Sequence, residues 1–338
     1  MEDKNTAILI PYFGKVPSGF ELWLKGASYN DKIDFHLIGD CFENIKKPRN
    51  VFIHDLSFDS LKHEIRRSLG ARSLDSPYKL CDFKPSYGVL FRNIVEGYKI
   101  WGFSDLDLFL GDLCKTINFD TIPSGWGRIF DYGHLSFFPN IPEVTHAFEQ
   151  PLCGVDTWKF VKNSRIIWVY DEHYYKGFGG VNGRLEKAGF RVESLIDHFS
   201  DVQPQFCGFF DRRVGPSSNL IYYWDKGRIW KIWNNQGEIR KSELSYVHIQ
   251  KRDIRIQWVG ENAALLIPRH WPAPATLEEG LALLEPQFAE DILLRPAYAK
   301  RQKLIKLKKC ARFFVEVAII PNGLPSLTLL FRNYSYKR

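Results

Sequence analysis

The sequence predicts an α/β protein with a mostly parallel sheet flanked by helices. Short apolar runs rich in β-branched residues alternate with helix-like segments over roughly the first 110 of the 338 residues. With 45% hydrophobic and 25% charged residues, the composition is that of a globular chain with enough apolar material for a large core. Strands that alternate with helices in this way usually pair in parallel.

The elements of this first part follow from apolar runs, capping residues and stop signals. We expect strands at Thr6–Pro11, Asp34–Asp40, Asn50–Leu56 and Tyr98–Phe103. We expect helices at Ser18–Ala27 with Ser18 as its cap, at Ser57–Leu69 between Ser57 and Gly70, and near Ser86–Gly97. A long block, Tyr78–Gly88, mixes polar with aromatic residues.

The second part of the chain has a different pattern. Further strands are expected at Arg128–Phe138, Arg165–Tyr170 and Ser245–Gln250, and a hairpin at Asn219–Trp233 around Asp225-Lys226-Gly227. Beyond Trp258, three prolines interrupt the pattern before a helix-like run at Leu277–Leu284. We therefore predict a boundary at about residue 260, with one domain at 1–260 and a C-terminal extension at 261–338.

The formal charge of +7 is concentrated in one segment. Arg295–Arg312 has eight basic residues and no acidic residue, so the remainder of the chain is nearly neutral. Apolar residues at helical spacing, such as Leu304 and Leu307, predict a basic amphipathic helix. Residues 295–314 are expected to dock on an anionic membrane or a partner protein, although a solvated helix packed on the other domain is an alternative. No nucleic-acid partner is expected.

Several classes of protein are excluded by missing motifs. The chain has no apolar run of 18 residues, no secretory signal, and six cysteines without a Cys-x-x-Cys pair. It also lacks a P-loop, a dinucleotide fingerprint and a Ser-centred nucleophile elbow. We expect free thiols and a cytoplasmic protein, peripheral at the inner face of the membrane.

The most specific chemical signal is the pair Asp105 and Asp107, directly after the expected strand Tyr98–Phe103. Two carboxylates at this spacing can approach one hard divalent cation, and ligands bind at the carboxyl ends of strands in open α/β sheets. Two solvated aspartates in a turn are the alternative interpretation.

The order of the motifs IPYFG, KLCDFKPSYG, WGFSDLDLFLGD, DEH and YVHIQKR resembles that of bacterial glycosyltransferases with the GT-A fold, which build capsule and O-antigen polysaccharides. The resemblance covers roughly residues 5–255. It implies a GT-A-like sheet that binds a nucleotide sugar, with UDP as the expected nucleotide, and transfer to a growing, lipid-linked glycan. Mn²⁺ or Mg²⁺ would be held by Asp105, Asp107 and His248.

The same resemblance implies the residues that contact the donor. Pro11, Tyr12 and Phe13 would contact the nucleotide base, and Asp40 would lie near it. Lys84, together with Lys79, would lie near the donor phosphates, and Lys251 with Arg252 would hold the leaving diphosphate. Ordinary packing for the aromatic pair and solvation for the lysines are the alternatives.

The acceptor hydroxyl requires a general base if the transfer inverts the anomeric centre. Asp171 is slightly preferred over Glu172, and the aromatic loop 174–180 could cover an acceptor sugar. A helix N-terminal acidic pair is the competing interpretation, and a retaining mechanism would need no such base. Asp131 and His134 are further candidates for the acceptor site.

Two other functions stay open from sequence alone. A nucleotidyltransferase acting on sugar phosphates would place the same carboxylates and metal on an α/β sheet, but it would release pyrophosphate. A non-catalytic glycan- or nucleic-acid-binding protein would use the aromatic residues and the basic segment, and chelators would not affect it.

Overall fold

The strands of the protein form three sheets. The computed structural model describes residues 5–121, 123–165, 167–172, 180–203, 206, 208–211, 220–250 and 254–285. The strands in this part are β1 Thr6–Pro11, β2 Ile33–Ile38, β3 Val51–His54, β4 Ile100–Ser104, β5 Leu108–Leu110, β6 Trp126–Ile129, β7 Leu135–Pro139, β8 Arg191–Glu193, β9 Phe199–Asp201, β10 Leu220–Asp225, β11 Arg228–Asn235, β12 Glu238–Leu244, β13 Tyr246–His248, β14 Ile254–Gly260 and β15 Ala263–Pro268.

The helices of the described residues are mostly short. The α-helices are α1 Phe20–Tyr29, α2 Phe58–Leu69, α3 Tyr87–Leu90, α4 Arg92–Val95, α5 Pro142–Thr145, α6 Thr157–Asn163, α7 Val181–Lys187 and α8 Leu277–Ala282. The 3₁₀ helices are Pro77–Ser86, Ala147–Glu149 and Ile196–His198.

A seven-stranded sheet in the order β3-β2-β1-β4-β7-β6-β8 forms the centre of the fold. Strands β3, β2, β1 and β4 are parallel, β7 runs antiparallel to β4 and β6, and β8 is parallel to β6. Apolar side chains of α2 and α3, including Leu61 and Tyr87, cover one face, and those of α1, including Trp23, cover the other. The predicted α/β class with a mostly parallel sheet is confirmed.

Local sequence signals predicted several element ends correctly. The Ser57 hydroxyl accepts a hydrogen bond from the Ser60 N–H at the start of α2, and Gly70 ends that helix at φ +65°. At α1, however, Gly19 and not Ser18 is the N-cap. A Cβ on Gly19 would lie 2.6 Å from the Phe109 ring, so this close approach requires glycine.

Two predicted strands have a different conformation. The predicted strand Arg128–Phe138 covers parts of the antiparallel strands β6 and β7, which a turn with Phe130 at φ +58° separates. The predicted strand Arg165–Tyr170 is not a strand in its described residues. Most of the block Tyr78–Gly88, for which the sequence predicts no element, lies in the 3₁₀ helix Pro77–Ser86.

A small three-stranded sheet, β5-β13-β9, packs beside the central sheet. Strand β13 runs antiparallel to β5 and parallel to β9, with His248 opposite Leu108 and Asp201. This sheet therefore brings a late segment of the chain next to the connection between β4 and β5.

A five-stranded antiparallel sheet has the order β12-β11-β10-β15-β14 and contains the predicted hairpin between β10 and β11. Strands β14 and β15 pair with each other on either side of residue 260, so this sheet extends past the predicted boundary. The predicted helix at 277–284 is α8. The basic segment 295–314 lies outside the described residues. Among the residues that are described, no helix has the length and apolar character needed to span a membrane.

Candidate active site

The two aspartates of the D-x-D motif lie in the connection between β4 and β5. The Asp105 N–H donates to the His134 carbonyl over 2.8 Å, and the Asp107 carbonyl accepts from the Ile249 N–H at 3.1 Å. The main chain at both aspartates is thus tied to neighbouring strands, at the carboxyl end of β4 where an open α/β sheet binds its ligands.

His248 is oriented toward this pair by a carboxylate. Its Nδ1 lies 2.8 Å from Asp201 Oδ1, and its Nε2 lies 3.5 Å from Asp107 Oδ1. Gln250 Nε2 donates to both oxygens of Asp201 at 2.8 Å, which holds that carboxylate in turn. Burial disfavours the charged imidazole, but its hydrogen bonds with Asp107 and Asp201 dominate and raise the pKa of His248 to about 10.

The donor atoms of Asp105, Asp107 and His248 lie within 4.8 Å of one another. Two carboxylates and one imidazole are a suitable donor set for Mn²⁺ or Mg²⁺, and Mn²⁺ accepts the imidazole more readily. The contact between Asp201 and Nδ1 fixes the ring so that Nε2 faces the carboxylates, which is the arrangement found behind metal-bound histidines. The residues present therefore fit a divalent cation, whose binding to His248 would displace the proton from Nε2.

Lys84 connects the D-x-D motif to the predicted general base. Its buried ammonium lies 2.7 Å from Asp105 Oδ1 and 3.4 Å from Asp171 Oδ2, and it donates to the Gly133 carbonyl over 2.7 Å. Burial disfavours the ammonium, but the two carboxylates outweigh burial and raise the pKa of Lys84. Lys84 is therefore a fixed cation beside the predicted metal site.

Asp171 is a buried carboxylate whose main chain is also held. Its carbonyl accepts a hydrogen bond of 2.7 Å from Arg128, a buried guanidinium. Burial raises the pKa of Asp171 to about 7, against the opposing effect of Lys84. A Cβ on Gly133 would lie 2.5 Å from Asp171 Oδ2, so only glycine fits there. Glu172, the alternative base, is half-buried.

The segment before Asp171 is organised by the buried ion pair of Lys79 and Asp82, with 2.7 Å between Nζ and Oδ2. Asp82 also accepts hydrogen bonds from the backbone N–H groups of Trp168 and Tyr170. These contacts take the donors that a strand would need, which explains why Arg165–Tyr170 is not one. Lys79, predicted near the donor phosphates, is thus paired with a carboxylate in the interior.

Cys81, Asp82 and Asp171 also bring possible ligand atoms within 4.8 Å of one another. Here Asp82 is fully buried, and its oxygens already accept hydrogen bonds from Lys79 and from the backbone N–H groups of Trp168 and Tyr170. Burial, followed by Asp171 and Asp82, raises the pKa of the Cys81 thiol, which disfavours the thiolate that a metal requires. This cluster is therefore better explained as a network of internal ion pairs.

The residues predicted to contact the nucleotide follow β1 and β2. The Tyr12 hydroxyl donates a hydrogen bond to the Lys15 carbonyl. Burial raises the pKa of Tyr12, and the charges of Cys41 and Asp107 raise it further, so the hydroxyl lies within electrostatic range of the D-x-D motif. Phe13 packs edge-on against Phe58. Pro11 ends β1, and Asp40, just after β2, is exposed.

His134 and Asp131 have internal partners. His134 Nδ1 lies 3.1 Å from the Tyr246 hydroxyl, and its ring lies 4.3 Å from that of His248 between centroids. Asp131 is buried and accepts a hydrogen bond from Ser194. His134 thus packs beside the predicted metal ligands, through its carbonyl contact with the Asp105 N–H and its ring contact with His248. Its predicted acceptor role is not needed to explain this position.

Lys251 and Arg252, the aromatic residues of the loop 174–179 and the segment 295–314 lie outside the described residues. Three residues of the candidate site are not singled out by the sequence: Asp201, Gln250 and Gly133. Asp201 is a single aspartate on a three-residue strand, without any spacing signal toward His248. Gly133, in the sequence Asp-Tyr-Gly-His, carried the visible signal of a glycine beside candidate polar residues.

We expect Asp171→Asn to flatten the dependence of stability on pH. The folded chain holds a proton on Asp171 at pH values where the unfolded chain has lost it. Folding stability therefore falls as the pH rises from about 4 to about 7, and it levels off above that. The amide of the variant cannot ionise. Between pH 5 and pH 8, the free energy of unfolding should therefore fall less in the variant than in wild type, and the two falls should differ by at least ~1.4 kcal/mol.

Urea denaturation at both pH values measures this difference. Asp120→Asn is the matched control, because Asp120 forms an exposed ion pair with Lys32. Equal pH dependence in wild type and Asp171→Asn would contradict the raised pKa.

Three solved glycosyltransferase structures are similar to this fold, each at 10% sequence identity. The first is mouse xyloside xylosyltransferase 1 in its apo form, with a TM-score of 0.35; the match covers 59% of this chain and 88% of that one. The second is apo-form GlyE of Streptococcus pneumoniae TIGR4, with a TM-score of 0.31 and coverage of 55% of this chain and 44% of that one. The third is the galactosyltransferase LgtC in complex with donor and acceptor sugar analogs, with a TM-score of 0.32 and coverage of 58% of this chain and 75% of that one. At TM-scores below 0.5, the chemistry has to be derived from the side chains of the site.

No curated protein matches the sequence. A family model does match it, over residues 8–270. Because this match covers more than half of the chain, the protein belongs to the family described as "Family of unknown function (DUF6625)".

Proposed function

We propose that this protein is a metal-dependent glycosyltransferase that takes a sugar from a nucleotide-sugar donor, with UDP as the nucleotide. The observation that carries the proposal is the convergence of Asp105, Asp107 and His248 at the carboxyl end of β4, with Lys84 joining them to the buried Asp171. This arrangement combines a cation site, a fixed positive charge and a carboxylate with a raised pKa.

The first part of the site suits a diphosphate. Asp105, Asp107 and His248 would hold Mn²⁺ or Mg²⁺, which when bound neutralises negative charge on the diphosphate. Lys84 contributes a second cation, already desolvated and held by two carboxylates and a carbonyl. The resemblance to GT-A enzymes adds Tyr12, Phe13 and Asp40 as contacts of the nucleotide, and Lys251 as a further contact of the diphosphate.

The second part suits activation of an acceptor hydroxyl. In an inverting transfer, Asp171 would accept the proton while the acceptor oxygen bonds to the anomeric carbon. As this bond forms, the bond from that carbon to the diphosphate breaks, and its electron pair leaves with the diphosphate oxygen. A carboxylate with a pKa of about 7 is a more effective base at neutral pH than an ordinary aspartate. Asp171 is preferred over Glu172 because it shares Lys84 with Asp105.

Replacing Asp105, Asp107 or His248 with Ala should lower Mn²⁺-dependent release of nucleoside diphosphate from UDP-sugars by at least ~100-fold, because each removes one ligand. The assay uses the full chain, a panel of UDP-sugars, and EDTA as the metal-free condition. Asp120→Ala is the matched control, since it removes an exposed aspartate away from the site.

The product separates this function from its rivals. Wild-type turnover in the three variants would overturn the proposed site. Release of pyrophosphate from a nucleoside triphosphate and a sugar phosphate would indicate a nucleotidyltransferase. Glycan binding that is indifferent to EDTA, without hydrolysis of any nucleotide sugar, would indicate a non-catalytic binding protein.

Asp201→Asn tests the orientation of His248 separately from the ligands. An amide supports the imidazole less strongly than a carboxylate, so Mn²⁺ affinity should fall about 10- to 100-fold. Titration of the protein with Mn²⁺, followed by electron paramagnetic resonance of the free ion, measures the affinity directly. Asp197→Asn, on the preceding 3₁₀ helix, is the control. Unchanged affinity in Asp201→Asn would remove Asp201 from the metal site.

We further propose that the acceptor is a growing bacterial surface glycan on a lipid carrier, and that residues 295–314 bring the enzyme to the membrane. Each basic residue near an anionic surface contributes about 1 kcal/mol to binding. Replacing Lys303, Lys306, Lys308 and Lys309 with Gln should therefore lower partitioning onto phosphatidylglycerol vesicles by at least ~100-fold.

Vesicle co-sedimentation measures this partitioning, with phosphatidylcholine vesicles as the uncharged comparison. The matched control replaces four exposed lysines of the described region, Lys46, Lys99, Lys159 and Lys241. Equal loss in both quadruple variants would argue against specific docking through the basic segment.

A further inference from the structure

A tyrosine at the edge of the candidate site belongs to the same helical row as Lys84. The 3₁₀ helix Pro77–Ser86 has three residues per turn, so Tyr78, Cys81 and Lys84 lie along one face of it. Burial decreases along this row: Lys84 is buried, Cys81 is half-buried, and Tyr78 is 59% exposed. The row therefore runs from the interior of the site to solvent.

The inner end of the row is fixed by the contacts of Lys84 with Asp105 and Asp171. The thiol of Cys81, in the middle of the row, lies within 4.8 Å of a carboxylate oxygen of Asp171. Tyr78 is thus one helical turn further from the interior than a residue that already approaches the proposed base.

The charges around Tyr78 agree with this position. Burial first, and then Cys81, Asp171 and Asp105, raises the pKa of Tyr78 to about 12, so the phenol stays protonated and can donate a hydrogen bond. Among the carboxylates, Asp171 has a larger effect than Asp105. Tyr78 therefore lies near enough to both carboxylates for their charges to act on its phenol, while more than half of the residue remains exposed.

We propose that Tyr78 is a stacking platform for the pyranose ring of the acceptor, next to Asp171. The inference rests on the proposed glycosyltransferase function and assigns it an acceptor subsite. An aromatic ring can cover the C–H face of a sugar and leave its hydroxyls free, and the phenol adds a donor. A sugar held there presents a hydroxyl toward the interior of the row, where Asp171 lies.

The two ends of the row suit different substrates, because Lys84 places a positive charge at the inner end only. Its cation attracts the diphosphate of the donor at the inner end, whereas a neutral sugar gains most from an aromatic surface at the outer end. The same 3₁₀ helix thus contacts both substrates from one side, with the donor phosphates deep and the acceptor ring at the edge.

The experiment compares wild type, Tyr78→Ala, Tyr78→Phe and Tyr78→Trp as full chains with Mn²⁺ and the UDP-sugar that wild type hydrolyses fastest. Acceptors are p-nitrophenyl pyranosides of glucose, galactose, mannose and N-acetylglucosamine. For each chain, the ratio of sugar transfer to donor hydrolysis and the KM for the pyranoside are measured.

Tyr78→Ala should lower the ratio of transfer to hydrolysis, and raise the KM for the pyranoside, by about 10-fold. Tyr78→Phe and Tyr78→Trp should stay within about 3-fold of wild type, because both retain an aromatic face. Tyr29→Ala is the matched control, since Tyr29 is 45% exposed and packs edge-on against Trp224 in another part of the fold.

Three outcomes overturn the platform. The first is a Tyr78→Ala chain with the wild-type ratio and KM, and the second is a wild type that hydrolyses donor but transfers to none of the pyranosides. The third is an equal loss of hydrolysis and transfer in Tyr78→Ala, which would place Tyr78 at the donor or in the fold. A wild-type chain that hydrolyses no nucleotide sugar contradicts the proposed function itself, and the two failures are therefore distinguishable.

Discussion

A lysine ammonium buried between two carboxylates holds the parts of the candidate site together. Lys84 reaches Asp105 at 2.7 Å and Asp171 at 3.4 Å, and the side chain is only 9% exposed. A buried charge is costly unless it is paired, and removing one partner from such a pair typically costs about 3–5 kcal/mol. The 3₁₀ helix, the end of β4 and the segment at Asp171 are therefore constrained to meet at this ammonium.

The small sheet completes the site from the other side. Strand β13 carries His248, and the neighbouring strand β9 places Asp201 at the same register position. The predicted ligand His248 and its carboxylate partner Asp201 are thus positioned by backbone pairing, and not by loop geometry. Positions fixed on strands are more precise than positions on loops, which matters where donor atoms must converge on one ion.

The parts of the fold that could be predicted carry local signals. Ser57 and Gly70 bracket α2, and the Asp225-Lys226-Gly227 turn lies between paired strands. The errors arose where tertiary contacts override local preference. Arg165–Tyr170 is apolar and β-branched, yet Asp82 takes the backbone donors at Trp168 and Tyr170 that a strand would use.

The candidate site shows the same division. Asp105 and Asp107 could be singled out because their spacing is itself a chemical pattern. The pairing of His248 with Asp201, and of Lys84 with Asp171, could not, because these residues are far apart in sequence and no periodicity relates them. The need for glycine at position 133 could be recognised only from the structure, in which Asp171 lies where a Cβ would be.

The pairing of β13 with β5 also has a consequence for how the chain folds. The two strands are far apart in sequence, so closing this contact costs loop entropy that later packing must recover. Strands β1, β2 and β3, by contrast, pair with their neighbours in sequence across shorter connections. We therefore expect Asp107 and His248 to come together late in folding, so that a correctly assembled candidate site would report that the central and the small sheet have both formed.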